Sequence, residues 1–225
     1  MKEKIAAYAS SASVASASFI SSLNRRLSAD TSFGAKLRRE AGGRPSETRM
    51  PLKWHTFLES VPQELRSGRK ADIAFLIATF YSLDSRRYKG LPSVNATPPA
   101  ADEAADAPRS VVGTGDLGST LGSMISGKDI ERDPMTRRLA KLLNSTLDPD
   151  GGGTLPRRLR NTVDIALASN AKINWPRLLD DLVSWNDPKR RVQHGWARSF
   201  LARAQPDDAQ GAASDVMEMD NDSNS

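Results

Sequence analysis

Residues 154–203 read TLPRRLRNTVDIALASNAKINWPRLLDDLVSWNDPKRRVQHGWARSFLAR, and this stretch decides the fold class. Apolar residues recur at helical spacing in three groups: Leu155, Leu159, Val163 and Leu167; Leu178, Leu179, Leu182 and Trp185; Val192, Trp196 and Phe200. Asn174 and Asp187 stand where helix N-caps belong. Pro176 and Pro188 follow within the first turn, where a missing N–H costs little. The polar sides carry Arg157, Arg158, Arg160, Lys189, Arg190, Arg191 and Arg198. Three amphipathic helices with basic outer faces predict a helical bundle that offers its outside to an anion.

Composition supports a polyanionic partner. The chain has 225 residues and a formal charge of +5. Beyond Pro206 it carries Asp207, Asp208, Asp215, Glu218, Asp220 and Asp222 with no Lys or Arg, so the part before that segment is more basic than the whole by six charges. Such a body favours nucleic acid over a neutral partner. Cysteine is absent, which excludes disulfides, thiolate metal sites and a cysteine nucleophile, and is consistent with the cytoplasm. No window has the ~18 apolar residues of a membrane span. Lys2 and Lys4 precede an Ala/Ser-rich stretch, but Ser10, Ser11, Ser13, Ser16 and Ser18 make it too polar for a signal peptide. The sequons at Asn95 and Asn144 therefore carry no expectation of glycosylation.

Working outward, Phe19, Leu23 and Leu27 open the first helix, and Asp30 or Thr31 caps the next, TSFGAKLRREAG, which Gly42 and Gly43 end. Prolines 45, 51 and 62 bracket one short helix, LKWHTFLESV. The most apolar run, Ala71 to Leu83, is too short for a bilayer and predicts a buried core helix. DLGSTLGSMIS and DPMTRRLAKLLNST predict two more helices, with Leu117, Leu121 and Ile125, and Met135, Leu139 and Leu142, facing inward. No run shows the alternation of a strand. The expected fold class is all-α, two small helical bundles joined by a proline-rich linker. The expected division is an N-terminal bundle over 1–90, a loop or linker over 91–114, a C-terminal bundle over 115–205 and an acidic tail over 206–225.

Chemistry-bearing motifs fail on context. Gly113, Gly115 and Gly118 match G-x-G-x-x-G, but a proline-rich loop precedes them where a dinucleotide site needs a strand. Asp148-Pro-Asp150-Gly opens like a calcium loop, yet its twelfth position is Leu159 instead of Glu. His55 and His194 lack a metal-pair spacing and a local catalytic partner. Asp180 and Asp181 are adjacent on a helix and point about 100° apart, so they predict a solvated face or partners for nearby arginines. No catalytic residue, cofactor or metal is expected, and the chain is not expected to be an enzyme. What remains is five basic clusters: Arg38/Arg39, Arg86/Arg87/Lys89, Arg137/Arg138/Lys141, Arg157/Arg158/Arg160 and Lys189/Arg190/Arg191. Aromatics are scarce among them, so sequence-neutral contact with phosphates is expected over base stacking.

The sequence resembles CasB, the small-subunit family of the type I-E CRISPR surveillance complex Cascade. The resemblance is clearest in the S-T-L-G core of Leu117–Gly122, R-R-L-A-K-L-L at Arg137–Leu143 and L-P-R-R-L-R at Leu155–Arg160. It continues through I-N-W-P-R-L-L-D-D-L-V-S-W at Ile173–Trp185 and V-Q-H-G-W-A-R-S-F at Val192–Phe200. A looser match covers F-G-A-K-L-R-R at Phe33–Arg39 and F-Y-S-L at Phe80–Leu83. The resemblance implies a non-catalytic, all-helical subunit that partners the backbone and large subunits of Cascade, a second copy of itself, the crRNA, and the target and non-target DNA strands. Carried onto matching positions, the nucleic-acid contacts it implies are Arg38, Arg39, Arg86, Arg87, Arg158, Arg160, Lys189 and Arg190, with Arg137 and Arg138 beside them. The stretch around Ala96–Pro108 and the acidic tail are extra to the family pattern, and their charge asymmetry raises the expectation that the tail weakens DNA binding. Two other readings fit a basic helical chain: a free-standing helical DNA-binding regulator, and a protein-interaction scaffold with basic faces.

Overall fold

The computed structural model describes residues 13–43, 57–84, 115–126, 131–148 and 152–204. Among these residues every regular element is helical and no strand occurs. In chain order the helices with both ends described are α1 (Val14–Ala29), α2 (Thr31–Arg39), α3 (Arg69–Asp84), α4 (Leu117–Ser126), α5 (Arg132–Leu143), α6 (Leu155–Ala168), α7 (Trp175–Val183) and α8 (Arg191–Ala204), and a 3-10 turn spans Gln63–Leu65. None is long and apolar enough to cross a membrane.

Local chemistry explains the boundaries. Asp30 ends α1 and caps α2, its Oδ1 accepting from the amides of Ser32 at 2.8 Å and Phe33 at 3.0 Å. Hydrogen bonds, first from the Ser32 side chain and then from the Phe33 amide, hold its carboxyl below the usual range. Asn174 caps α7 by accepting from the Arg177 amide at 3.1 Å, with Pro176 inside the first turn. Asp187 departs from its expected role. α8 begins only at Arg191; Pro188 and Lys189 form a turn, and Arg190 sits at φ +49°. The Asp187 carboxylate instead accepts from the Lys189 amide at 3.2 Å and the Arg191 guanidinium at 2.5 Å. Of the short proline-bracketed helix, residues 57–59 are helical and bury Phe57; Trp54 and His55 lie outside the described residues.

The core is organised around α3, which packs against α1, α2, α6 and α7. Neighbours on several sides explain why its sequence is apolar all round: Ile73, Ala74, Ile77, Ala78 and Phe80 are each fully buried. Phe57 stands edge-on to both Phe19 and Phe75, with centroids 6.1 and 5.4 Å apart. In the later part of the chain α8 lies along α4, and α5 touches α4, α6 and α8. The α4–α8 crossing is close because glycine permits it. A Cβ on Gly118 would stand 2.0 Å from the Trp196 carbonyl oxygen, and one on Gly122 2.7 Å from that of Phe200. Gly118 thus serves helix packing, while Gly115, at φ +86°, turns the chain into α4. The inward positions of α4 include Met124 in place of the expected Ile125, which is only partly buried. Buried residues from 19 to 204 form one continuous cluster. The proposed linker, 91–114, and the tail, 206–225, lie outside the described residues.

Candidate nucleic-acid interface

The last turn of α5 leaves carbonyl oxygens without helical partners at the negative end of the helix dipole. Two arginines distant in sequence supply donors. Arg158, in the first turn of α6, donates to the Lys141 carbonyl and to Ser145 Oγ at 3.2 Å. Arg190, in the turn before α8, donates through Nη2 to the Leu143 carbonyl at 2.7 Å and to Asn144 Oδ1 at 3.3 Å. Each such cation at a helix C-terminus stabilises by about 0.3–1 kcal/mol. A guanidinium has five N–H donors, so both keep donors for a further acceptor. Lys141 and Lys189 stand at the same end of the helix, and Arg137 and Arg138 lie in the middle of α5, all four exposed. Their side chains make no hydrogen bond or ion pair with any described residue.

The first turns of α6 carry the basic surface on towards α2. Arg157 is exposed. Arg160 donates to the Ala41 carbonyl at 2.5 Å and lies 3.8 Å from Asp164. Ala41 follows directly on the last turn of α2, where Arg39 is exposed and Arg38 is half-buried with Nη1 3.4 Å from the Ser82 carbonyl. Arg38 and Arg39 line an open hollow with Ala35 and Leu83. The first turns of α6 therefore reach the end of α5 through Arg158 and, from the other side of the helix, the end of α2 through Arg160, so direct contacts link three basic clusters and the Lys189/Arg190 turn, and this linked set is the candidate band. Arg86, Arg87 and Lys89 lie outside the described residues. The Arg158, Arg160 and Arg190 bonds span 17, 119 and 47 residues of sequence, so spacing alone could not reveal them.

Among the described residues, aromatic side chains stay out of this band. Trp175, Trp185 and Trp196 are buried, with the indoles of Trp185 and Trp196 5.1 Å apart. Their N–H groups are committed: Trp175 to Asp84 at 2.7 Å, Trp185 to the Ser145 carbonyl at 3.1 Å, and Trp196 to Asp181 at 2.7 Å. Among the described residues the band therefore offers charge and N–H donors without a stacking platform.

The two adjacent aspartates of α7 have structural tasks that sequence reading caught only in part. Asp180 binds the N-terminus of α1, accepting from the Ser13 amide at 2.6 Å and from the hydroxyls of Ser13 and Ser16 at 2.8 and 2.6 Å. Asp181 is buried and pairs with Arg177 at 3.0 Å, the arginine partner that the sequence suggested. Burial pushes its carboxyl up to about 6, against the opposing pull of the Trp196 indole and Arg177. His194 is exposed on α8. No group of metal-ligating side chains occurs among the described residues.

Comparison with known proteins accords with this geometry. Residues 34–201 match the family model described as CRISPR-associated protein Cse2. No curated protein matches the chain. Among solved structures, a chain described as part of a CRISPR RNA-guided surveillance complex, pre-nicking, is 18% identical with a TM-score of 0.63, covering 88% of this chain and 97% of its own. CasB from M. ruber is 20% identical with a TM-score of 0.54, over 88% of this chain and 96% of its own. A Cse2-family protein from Thermus thermophilus is 23% identical with a TM-score of 0.53, over 83% and 97%. These likenesses carry the all-helical fold, and the family model carries the assignment: the chain belongs to the CRISPR-associated Cse2 family, the CasB family whose motifs it bears.

Proposed function

We propose that this chain is the small subunit of a type I-E Cascade complex and that its basic band holds a nucleic-acid backbone, stabilising the R-loop. The observation that carries this reading is the band itself: Arg39, Arg157, Arg137, Arg138, Lys141 and Lys189 are exposed on and beside helices whose ends Arg158, Arg160 and Arg190 bind. Family membership and the likeness to a chain of an RNA-guided surveillance complex support the assembly. Its partners are then the other Cascade subunits, a second copy of the chain, the crRNA and both DNA strands. R-loop formation exchanges one duplex for another of similar stability, so protein contacts to the backbone can tip it. A band that reads charge and not base identity suits a displaced strand of any sequence. The subunit is proposed to act without catalysis.

The test uses the complex reconstituted with this chain and a guide RNA. Arg137→Gln, Arg138→Gln and Lys189→Gln together remove three exposed cations and leave the helix-capping arginines intact. R-loop lifetime should shorten, and the dependence of log K on log salt for single-stranded DNA should flatten by about 0.7 per lost phosphate contact. An unchanged lifetime with an unchanged slope would overturn the phosphate-holding role.

A further inference from the structure

We propose that the acidic segment after Pro206 docks on this protein's own basic surface, along α8 and onto the end of α5, and competes there with nucleic acid. The competition rests on the function proposed above; the docking does not. The outward side of α8 exposes Arg191, His194 and Arg198, and Arg203 is exposed in its last turn. The Arg191/His194/Arg198 stripe runs from the Lys189/Arg190 turn along α8, which ends at Ala204 before the acidic part of the chain; Arg203 lies round the helix from that stripe, its Cβ on the side of Gly122 of α4. Leu201, 54% exposed, adds an apolar foothold beside it. Arg198 and Arg203 make no ion pair with any described residue, whereas Arg191 is paired with Asp187.

Length and charge register agree. Fourteen helical residues make α8 about 21 Å long. An extended chain covers that distance in roughly six or seven residues. Asp207 and Asp208 can therefore reach Arg203 and Arg198. Asp215, Glu218, Asp220 and Asp222 have enough chain to reach Lys189, Arg190 and Lys141. Each exposed ion pair is worth little, but a tether holds the acids at an effective concentration of order millimolar. Such a contact resists weak, non-specific polyanions and yields to a nucleic acid that meets many cations at once. It also weakens as salt rises.

Zero-length carbodiimide crosslinking of the full chain at low salt, read by mass spectrometry, tests the docking directly. Amide links from Asp215, Glu218, Asp220 or Asp222 should fall on Lys189 and Lys141 in preference to Lys36, Lys70 and Lys172, and should vanish at high salt. Links spread evenly over all lysines, or none, would overturn the docking. A second full-length variant replaces the six acids by Asn and Gln. It should bind single-stranded DNA about tenfold more tightly at ~50 mM salt, with the gap closing by ~200 mM. Specific crosslinks with unchanged affinity would overturn the competition. If neither chain binds DNA, the nucleic-acid reading fails, and the crosslink pattern still decides the docking.

Discussion

A carboxylate on the inner face of a bundle helix must be paired, hydrogen-bonded or protonated, and Asp181 combines all three options. Its folded-state value of about 6 lies above the ordinary 3.8, so the folded protein binds this proton more tightly than the unfolded chain does. Below about pH 4 both states carry the proton and the group makes no difference. Between about pH 4 and 6 stability falls as pH rises, reaching a penalty of roughly 3 kcal/mol near pH 7. Asp181→Asn keeps an oxygen for the Trp196 indole and removes the titration. Its melting temperature relative to wild type should therefore rise steadily from pH 4 to pH 7; a constant or falling difference would contradict this account. The basic residues divide by the same logic of partners. Arg158→Gln should cost about 1 kcal/mol, because carbonyls at the end of α5 lose a charged donor, whereas Arg137→Gln should stay within about 0.5 kcal/mol in urea unfolding. The sequence made both arginines equivalent members of basic pairs. Only the folded chain, which brings Lys141 and Ser145 to Arg158, separates them.

Helices were the most legible features of this chain, because periodic Leu and Trp stripes and the Asp30 and Asn174 caps act locally. The start of α8 was misplaced for an equally local reason: Asp187 captured Arg191 and the Lys189 amide in a turn, and α8 starts only after Arg190 adopts a positive φ. The role of the Gly118/Gly122 pair was hidden, since a glycine that admits a neighbouring backbone looks in sequence like one that loosens its own. The structure brings the Trp196 and Phe200 carbonyls against them, so α4 and α8 can approach only while both positions lack a side chain. Gly118→Ala should cost roughly 3 kcal/mol, at the upper end of overpacking penalties, because backbone and not a flexible side chain must move. Gly195→Ala, with nothing within 4 Å of the added Cβ, is the control on the facing helix and should hold or raise the melting temperature. Equal effects of the two substitutions in thermal unfolding would remove the close-crossing explanation.

At the scale of the molecule, α7 belongs to one half by chain order and packs against the other. It follows α6 in sequence, yet it lies against α1 and α3. Trp175 sends its indole N–H to Asp84 at the end of α3, and Tyr81 of α3 stands edge-on to the Trp175 ring at 5.7 Å. Asp180 secures the start of α1, while the next residue, Asp181, holds Trp196 of α8. α6 also touches α3. The composition shift at 91–114 suggests a boundary between two bundles, but removing the second segment would strip α1 and α3 of an apolar cover that includes Leu178, Leu179 and Leu182, all essentially fully buried. Exposing three such leucines forfeits about 1.5–3 kcal/mol each, a large share of the 5–15 kcal/mol that holds a typical domain folded. Residues 1–114 and 115–225, made as separate chains, should therefore fail to melt cooperatively alone and should recover helical, cooperative unfolding when mixed. The intact chain should unfold in one transition, with tryptophan fluorescence and far-UV circular dichroism coinciding. Two separate transitions, or fragments that each melt cooperatively by themselves, would instead establish two independent bundles and reduce the α7 contacts to a docking interface between them.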